Sequence, residues 1–281
     1  IGLVGSEMCI RDSLCHVPEI FKIENQAEHF CWNSWHMGGI ERKAVAAGYA
    51  YYSPLRYSEL PRYYREHIAP PDVAMFQVCP MDEHGYLNFG PNASHLMAVC
   101  ETAKTVILEV NRNMPRCYGG SETEIHVSQV DMIVEGDNPA MAEMGAGAPS
   151  AVDEAVAKLI VEEIPNGACL QLGIGGMPNA VGSMIADSDL KDLGMHTELC
   201  SDGYLEMFKQ GKLTNRRNTI NQNKGVLGIA IGSRELYDWV DDNPGVVGCP
   251  LSYVNDPQII AQHDNMISIN GCLTADVYGQ V

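Results

Sequence analysis

One stretch constrains the fold more tightly than any other: residues 168–203, ACLQLGIGGMPNAVGSMIADSDLKDLGMHTELCSDG. Ala168, Cys169, Leu170 and Leu172 make an apolar run of strand length that ends in a glycine-rich turn. Residues 179–186 (NAVGSMIA) have the small and apolar spacing of a helix, with Pro178 near its first turn. Residues 193–199 (LGMHTEL) read as the next strand. Strand, glycine turn, helix and strand in that order is the repeating unit of an open parallel α/β sheet.

Ligands of such sheets bind beyond the carboxyl ends of the strands. The glycine turn lies at that edge, and so does Glu198, at the end of the second strand. Unpaired N–H groups at a helix start, together with the helix dipole, favour negative charge, so the turn suits a phosphate or a developing oxyanion. Gly173, Gly175 and Pro178 give G-x-G-x-x-P, one glycine short of the dinucleotide fingerprint. Anion binding and plain helix–strand packing therefore both stay open for the turn. Glu198 likewise reads either as a solvated strand-end residue or as a carboxylate placed for covalent chemistry.

The formal net charge of −18, from 36 acidic and 18 basic residues, argues against a nucleic-acid partner, which needs clustered cations. No apolar run reaches the eighteen or so residues of a membrane span. A length of 281 residues with 46% hydrophobic content fits two α/β domains. Strands are expected at 73–78 and 105–110, turns at 82–90 and 113–120, and a connection at 136–149 (GDNPAMAEMGAGAP). A helix is expected over 151–163, where Val152, Ala155, Val156, Leu159 and Ile160 have helical spacing, and it opens the second domain.

Ten scattered cysteines without a C-x-x-C pair point to thiols in a reducing cytoplasm rather than disulfides or zinc. His84 and His95 stand near turns, but no H-x-x-x-H or H-E-x-x-H spacing occurs, and no metal is expected. His36, in the cluster Asn33, Ser34, Trp35 and His36, reads equally as a pocket or a packing residue. Cys200 invites a thiol mechanism, since alternation along the strand places His196, Glu198 and Cys200 on one face.

The segments QLGIGGMPNAVG, HTELCSDG, GSRELYDWVDDNP and SINGCLTADVYGQV resemble the acetyl-CoA hydrolase/transferase group of the family I CoA-transferases, a likeness that runs from about His16 to the last residue. The upstream segments HFCWNSWHMGGIERK, YYSPLRYSELPRYYRE and PMDEHGYLNFGPNASH are most similar to members that exchange CoA between butyryl-CoA and acetate. The resemblance implies an α/β fold of two open-sheet domains of the family I CoA-transferase type, truncated at both ends. An incomplete N-terminal domain would occupy 14–145, and an incomplete C-terminal domain with the catalytic glutamate 146–281. Residues 1–13 contain GSEMCIRDS, which resembles a transposon end used in sequencing libraries, and are set aside as an artefact.

The same resemblance implies a ping-pong reaction in which Glu198 becomes an acyl-glutamyl anhydride and then a glutamyl-CoA thioester. Gln171, Gly173, Ile174, Gly175, Gly176 and Met177 would hold CoA or the oxyanion, with Asn270 and Leu273 approaching the CoA moiety. No cofactor would be bound permanently, coenzyme A serving as substrate and covalent intermediate. The expected partners are acyl-CoA and short-chain carboxylates in the cytoplasm, with no nucleic acid and no membrane, and self-association into a homo-oligomer is left open. In the family the acid pocket and part of the CoA site come from segments beyond both ends, so the piece alone is expected to lack activity. The alternatives are an acyl-CoA hydrolase, a nucleotide-binding oxidoreductase using the glycine turn for pyrophosphate, and a non-catalytic CoA-binding module.

Overall fold

The computed structural model describes residues 8–12, 30–145, 147–272 and 274–281. The chain divides into two compact units, Ile1–Arg56 and Tyr57–Val281. In the first, β1 (Met8–Asp12), β2 (Phe30–Ser34) and β3 (Ala50–Tyr52) make a parallel sheet in that order, with α1 (Gly39–Ala46) crossing from β2 to β3. β1 falls within the segment set aside above. Trp32 and Ala44 form the small core of this unit with Phe30, Tyr49 and Ala50. Its polar cluster is locally bonded: Asn33 Nδ2 donates to Ser53 Oγ at 2.7 Å, Ser34 Oγ donates to the His36 carbonyl at 2.6 Å, and His36 Nδ1 lies 3.7 Å from Glu41.

The second unit opens with a helical turn at Tyr57–Glu59 and α2 (Leu60–Arg62). β4 (Val73–Val78), a short β5 (Tyr86–Asn88), α3 (Leu96–Thr102), β6 (Thr105–Val110), β7 (Glu124–His126) and β8 (Met132–Glu135) follow. The parallel sheet β4-β6-β8 buries Ala74, Val78, Val106 and Leu108 on one face, and β5, inside the turn expected at 82–90, pairs antiparallel with β7.

After α4 (Ala151–Glu162) the chain builds a five-stranded parallel sheet: β9 (Cys169–Leu172), α5 (Gly176–Asp187), β10 (Gly194–Cys200), α6 (Asp202–Lys209), β11 (Gly225–Ala230), α7 (Arg234–Val240) and β12 (Val246–Gly248). Two single turns, α8 (Leu251–Val254) and α9 (Pro257–Ile260), precede the last strand, β13 (Met266–Ile269). The strand order is β12-β11-β10-β9-β13. Successive strands step outward from β9 to β12, and β13 then returns to the other side of β9. That reversal opens a crevice at the carboxyl ends of β9 and β13, where α/β sheets bind ligands.

Leu170, Leu172, Val181, Ile185, Met195, Leu227 and Leu236 fill the main core of this sheet. The buried Tyr204 of α6 donates its hydroxyl to the Leu170 carbonyl (3.1 Å) and accepts from the Leu172 N–H (3.0 Å), which clamps β9 just before the glycine turn. α4 begins with a capping box between Ser150 and Asp153. Ala157 is buried, with Ile160 and Val161 packed against the core, while Val152 and Leu159 are 71% and 66% exposed. α4 packs on α5, and Val156, Leu159 and Ile160 border an open groove of about 460 Å³ beside β13.

Candidate active site

The crevice is built by the register of two strands. Ser268 stands opposite Gln171 and Ile269 opposite Leu172, and the Gly173 N–H donates to the Ile269 carbonyl at 2.8 Å, so both chains leave the sheet side by side. Gly173 is required by this approach, because a Cβ there would lie 2.6 Å from Asn270 Oδ1. The Gln171 and Asn270 amides form a reciprocal pair across the crevice: Gln171 Nε2 donates to Asn270 Oδ1 (3.1 Å), and Asn270 Nδ2 donates to Gln171 Oε1 (2.8 Å). Ser268 Oγ donates to the same Gln171 oxygen. Gly175 turns the chain into α5 at φ 123° and ψ 178°, a conformation open essentially to glycine alone.

One strand further, the half-buried Glu198 faces the same space. Asn255 Nδ2 donates a hydrogen bond to Glu198 Oε2. Asn255 terminates α8, its N–H donating to the Leu251 carbonyl at 3.0 Å, and Leu251 and Val254 seat that turn against Val226, Cys249 and Tyr57. A hydrogen bond to an ionised carboxylate is worth roughly 1.5–3 kcal/mol. It fixes which oxygen is engaged and leaves the other to react. Burial holds the Tyr57 phenol up at about 12, with the nearby Ser94 hydroxyl offsetting part of this and the Glu198 charge adding to it. Ser94 Oγ is itself paired with His95 Nδ1 at 2.9 Å, so the buried phenol gains no hydrogen bond of good geometry.

The resulting cavity has a volume of about 330 Å³. Gln171, Gly173, His196, Glu198, Asn255, Ser268 and Asn270 supply its polar groups, and Leu172, Leu199, Val254, Ile260 and Met266 its apolar wall. Of the residues singled out from the sequence, Gln171, Gly173, Ile174, His196, Glu198 and Asn270 come together here. Gly175 and Gly176 line neither this cavity nor the groove, and Met177 packs toward the core and lines the groove instead. Leu273 lies outside the described residues. A Cβ on Gly176 would be 2.8 Å from Asp153 Oδ2, so a carboxylate already stands beside the first turn of α5, where the sequence suggested an anion. Asn255 and Ser268 were not foreseen. Their signals were slight: an asparagine before Asp-Pro at the end of a short apolar turn, and a serine two residues before Asn270 on one face of a strand.

His196, Glu198 and Leu199 line the cavity, whereas Cys200 does not and is buried in the core with Met195. Burial pushes the Cys200 thiol far above the ordinary range, which disfavours the thiolate that a nucleophile needs. Among the described residues, no group of three or more His, Cys, Asp or Glu is placed to hold a metal ion, and no helix is long and apolar enough to cross a membrane.

Residues 19–145 match the acetyl-CoA hydrolase/transferase N-terminal domain, and residues 232–281 match the C-terminal domain of the same family. The 4-hydroxybutyrate CoA-transferase of Porphyromonas gingivalis is similar in structure with a TM-score of 0.78 and 32% identity, over 96% of this chain and 69% of that one. The chain belongs to the acetyl-CoA hydrolase/transferase family. Another member, the butyryl-CoA:acetate CoA-transferase of Anaerostipes caccae, is 59% identical over 264 residues, 94% of this chain and 59% of its own length. RipA from Yersinia pestis superposes with a TM-score of 0.83 at 34% identity, over 90% of this chain and 59% of that one. This family member thus spans about three fifths of the length of the curated relatives it matches. Its α/β architecture with parallel sheets accords with the likeness to these two structures. Glu198 falls between the two matched stretches.

Proposed function

We propose that this chain carries the covalent centre of a CoA-transferase that moves CoA from a short-chain acyl-CoA, butyryl-CoA, to acetate through a glutamyl-CoA thioester on Glu198. The observation that carries this reading is the half-buried Glu198 carboxylate facing a cavity with one oxygen held by the Asn255 amide. The names of the similar proteins support transfer, and the 59% identity to the butyryl-CoA:acetate CoA-transferase of Anaerostipes caccae supports the choice of acids.

In the first step Glu198 Oε1 attacks the thioester carbonyl, the C–S bond breaks, and CoA leaves as thiolate from an acyl-glutamyl anhydride. The thiolate then attacks the glutamyl carbonyl, releasing butyrate and leaving glutamyl-CoA. Acetate attacks this thioester, and the thiolate returns to the acetyl carbonyl, giving acetyl-CoA and free Glu198. The reaction needs an oxyanion donor at two different carbonyls. Asn255 Nδ2, already on Oε2, serves the glutamyl carbonyl; Gln171 Nε2, which gives one N–H to Asn270, keeps a second for the acyl carbonyl, beside the Gly173–Ile174 backbone. Gly175, Gly176, Met177, Asn270 and Leu273 complete the CoA side in this reading.

A break between an N-terminal domain ending near residue 145 and a C-terminal domain beginning at 146 belongs to the same proposal, supported by the N-terminal family match ending at 145. So does a cytoplasmic setting, supported by the free buried thiols Cys79, Cys100, Cys117 and Cys169. The test is product analysis with the full-length protein and butyryl-CoA. Acetyl-CoA formed only with acetate present, and little free CoA without it, is expected. Equal CoA release with and without acetate would make the protein a hydrolase.

A further inference from the structure

Two hydrogen bonds, two residues apart on β10, tie the strand to the end of α8. Glu198 accepts from the Asn255 side chain, and His196 Nε2 lies 2.8 Å from the Val254 carbonyl. A carbonyl only accepts, so Nε2 carries the proton and Nδ1 is a lone pair. Nδ1 is buried without a hydrogen-bond partner among the described residues, and His196 as a whole is 1% exposed. A buried ring with one nitrogen unmet is better replaced by an apolar side chain unless its other nitrogen matters. The ring of His263, also buried, packs against it with centroids 4.8 Å apart. Burial holds both rings below the ordinary imidazole range, so the form with hydrogen on Nε2 of His196 persists at neutral pH.

α8 is a single turn, Leu251–Val254, too short to hold its own end, and Val254 O is one of the carbonyls such an end leaves without a helical partner. Val254 and Asn255 share a peptide bond. Whatever fixes that carbonyl fixes the direction in which the Asn255 side chain leaves the backbone.

We infer that His196 is a positioning residue for the Glu198 chemistry: its Nε2–H anchors the Val254 carbonyl and thereby aims the Asn255 amide at Glu198 Oε2. This rests on the reading of Glu198 as nucleophile. Leu199 and Val254 offer apolar packing on the same wall of the cavity, but neither side chain can hold that carbonyl.

The test compares His196→Gln, whose side-chain N–H reaches about as far as Nε2, with His196→Leu, which lacks a donor. In the full-length protein, His196→Leu lowers kcat roughly ten-fold with KM little changed, a part of the ~10²–10³ typical when a donor is removed outright. His196→Gln recovers most of that loss. The side-chain amide resonances of Asn255 shift in the Leu variant and return in the Gln variant. Equal kcat losses in both variants, or a Leu variant that melts earlier yet turns over normally, would overturn the inference. If the Leu variant does not fold, a Gln variant with displaced Asn255 resonances and lost turnover overturns it equally. Borohydride trapping separates the two levels: no Glu198 adduct in the unsubstituted protein defeats the nucleophile itself, while adducts forming at equal rates in all three proteins defeat only the role of His196.

Discussion

Removing the Asn255 amide is the sharpest perturbation of the site, because Asn255 makes one identified contact with the reacting carboxylate. In Asn255→Ala the carboxylate loses a charge-assisted hydrogen bond worth about 1.5–3 kcal/mol. At about 1.4 kcal/mol per decade, kcat/KM for butyryl-CoA should fall roughly 10- to 100-fold if an energy of that size is gained only on reaching the transition state. It should fall toward ~10³ if Nδ2 also serves the oxyanion of the glutamyl carbonyl. Asn255→Asp tests the same geometry differently. It puts a second carboxylate within hydrogen-bond reach of Glu198, so the pair retains a proton to higher pH and activity should be low at neutral pH and climb as pH rises. Steady-state rates across pH 5–9, with melting curves recorded in parallel, measure both effects. An Asn255→Ala protein within two-fold of the unsubstituted one, with an intact fold, would refute the assignment of Asn255 as the partner of the nucleophile.

The glycine turn gives two further tests. Gly175→Ala should destabilise the protein by about 1–3 kcal/mol, since its φ of 123° with ψ 178° excludes a Cβ, and an unchanged denaturation midpoint would contradict the turn geometry. Gly173→Ala should leave less strain but split the Gln171–Asn270 pair, so its loss should show in turnover more than in melting. Acid should also destabilise the fold: burial lowers the imidazole of His95 from 6.5 to about 4, so between those values the unfolded chain binds a proton that the native one refuses. Stability from this group therefore drops by about 3 kcal/mol as pH falls from 6.5 to 4, and His263 acts in the same direction; urea midpoints that do not fall across this window would contradict it. Cys200→Ala should keep full turnover, because its thiol is buried in the core and far from ionising; a large loss in a folded protein would reopen a thiol mechanism.

Much of this architecture could be read from periodicity alone where short-range chemistry decides it. The strands at 73–78, 105–110 and 169–172, the helix from 151 and the strand bearing Glu198 all lie where apolar runs and turn residues place them. What escaped was set by long-range register. β13 pairs with β9 nearly a hundred residues away in the chain, and only that pairing sets Ser268 and Asn270 against Gln171. Asn255 reaches Glu198 because α8 docks on β10 and β11, which no spacing in SYVNDP announces. Helical spacing in α4 likewise did not say which apolar residues are covered: Val152 and Leu159 are exposed, and Leu159 borders an open groove.

The central claim is that Glu198 forms a thioester with CoA. The direct measurement is to incubate the full-length protein with butyryl-CoA, reduce with borohydride, and map the modified peptide by mass spectrometry. The account predicts that the side-chain carboxyl of Glu198 is reduced to an alcohol, and that omission of acyl-CoA abolishes the change. Steady consumption of butyryl-CoA by a protein whose Glu198 stays unreduced would contradict it.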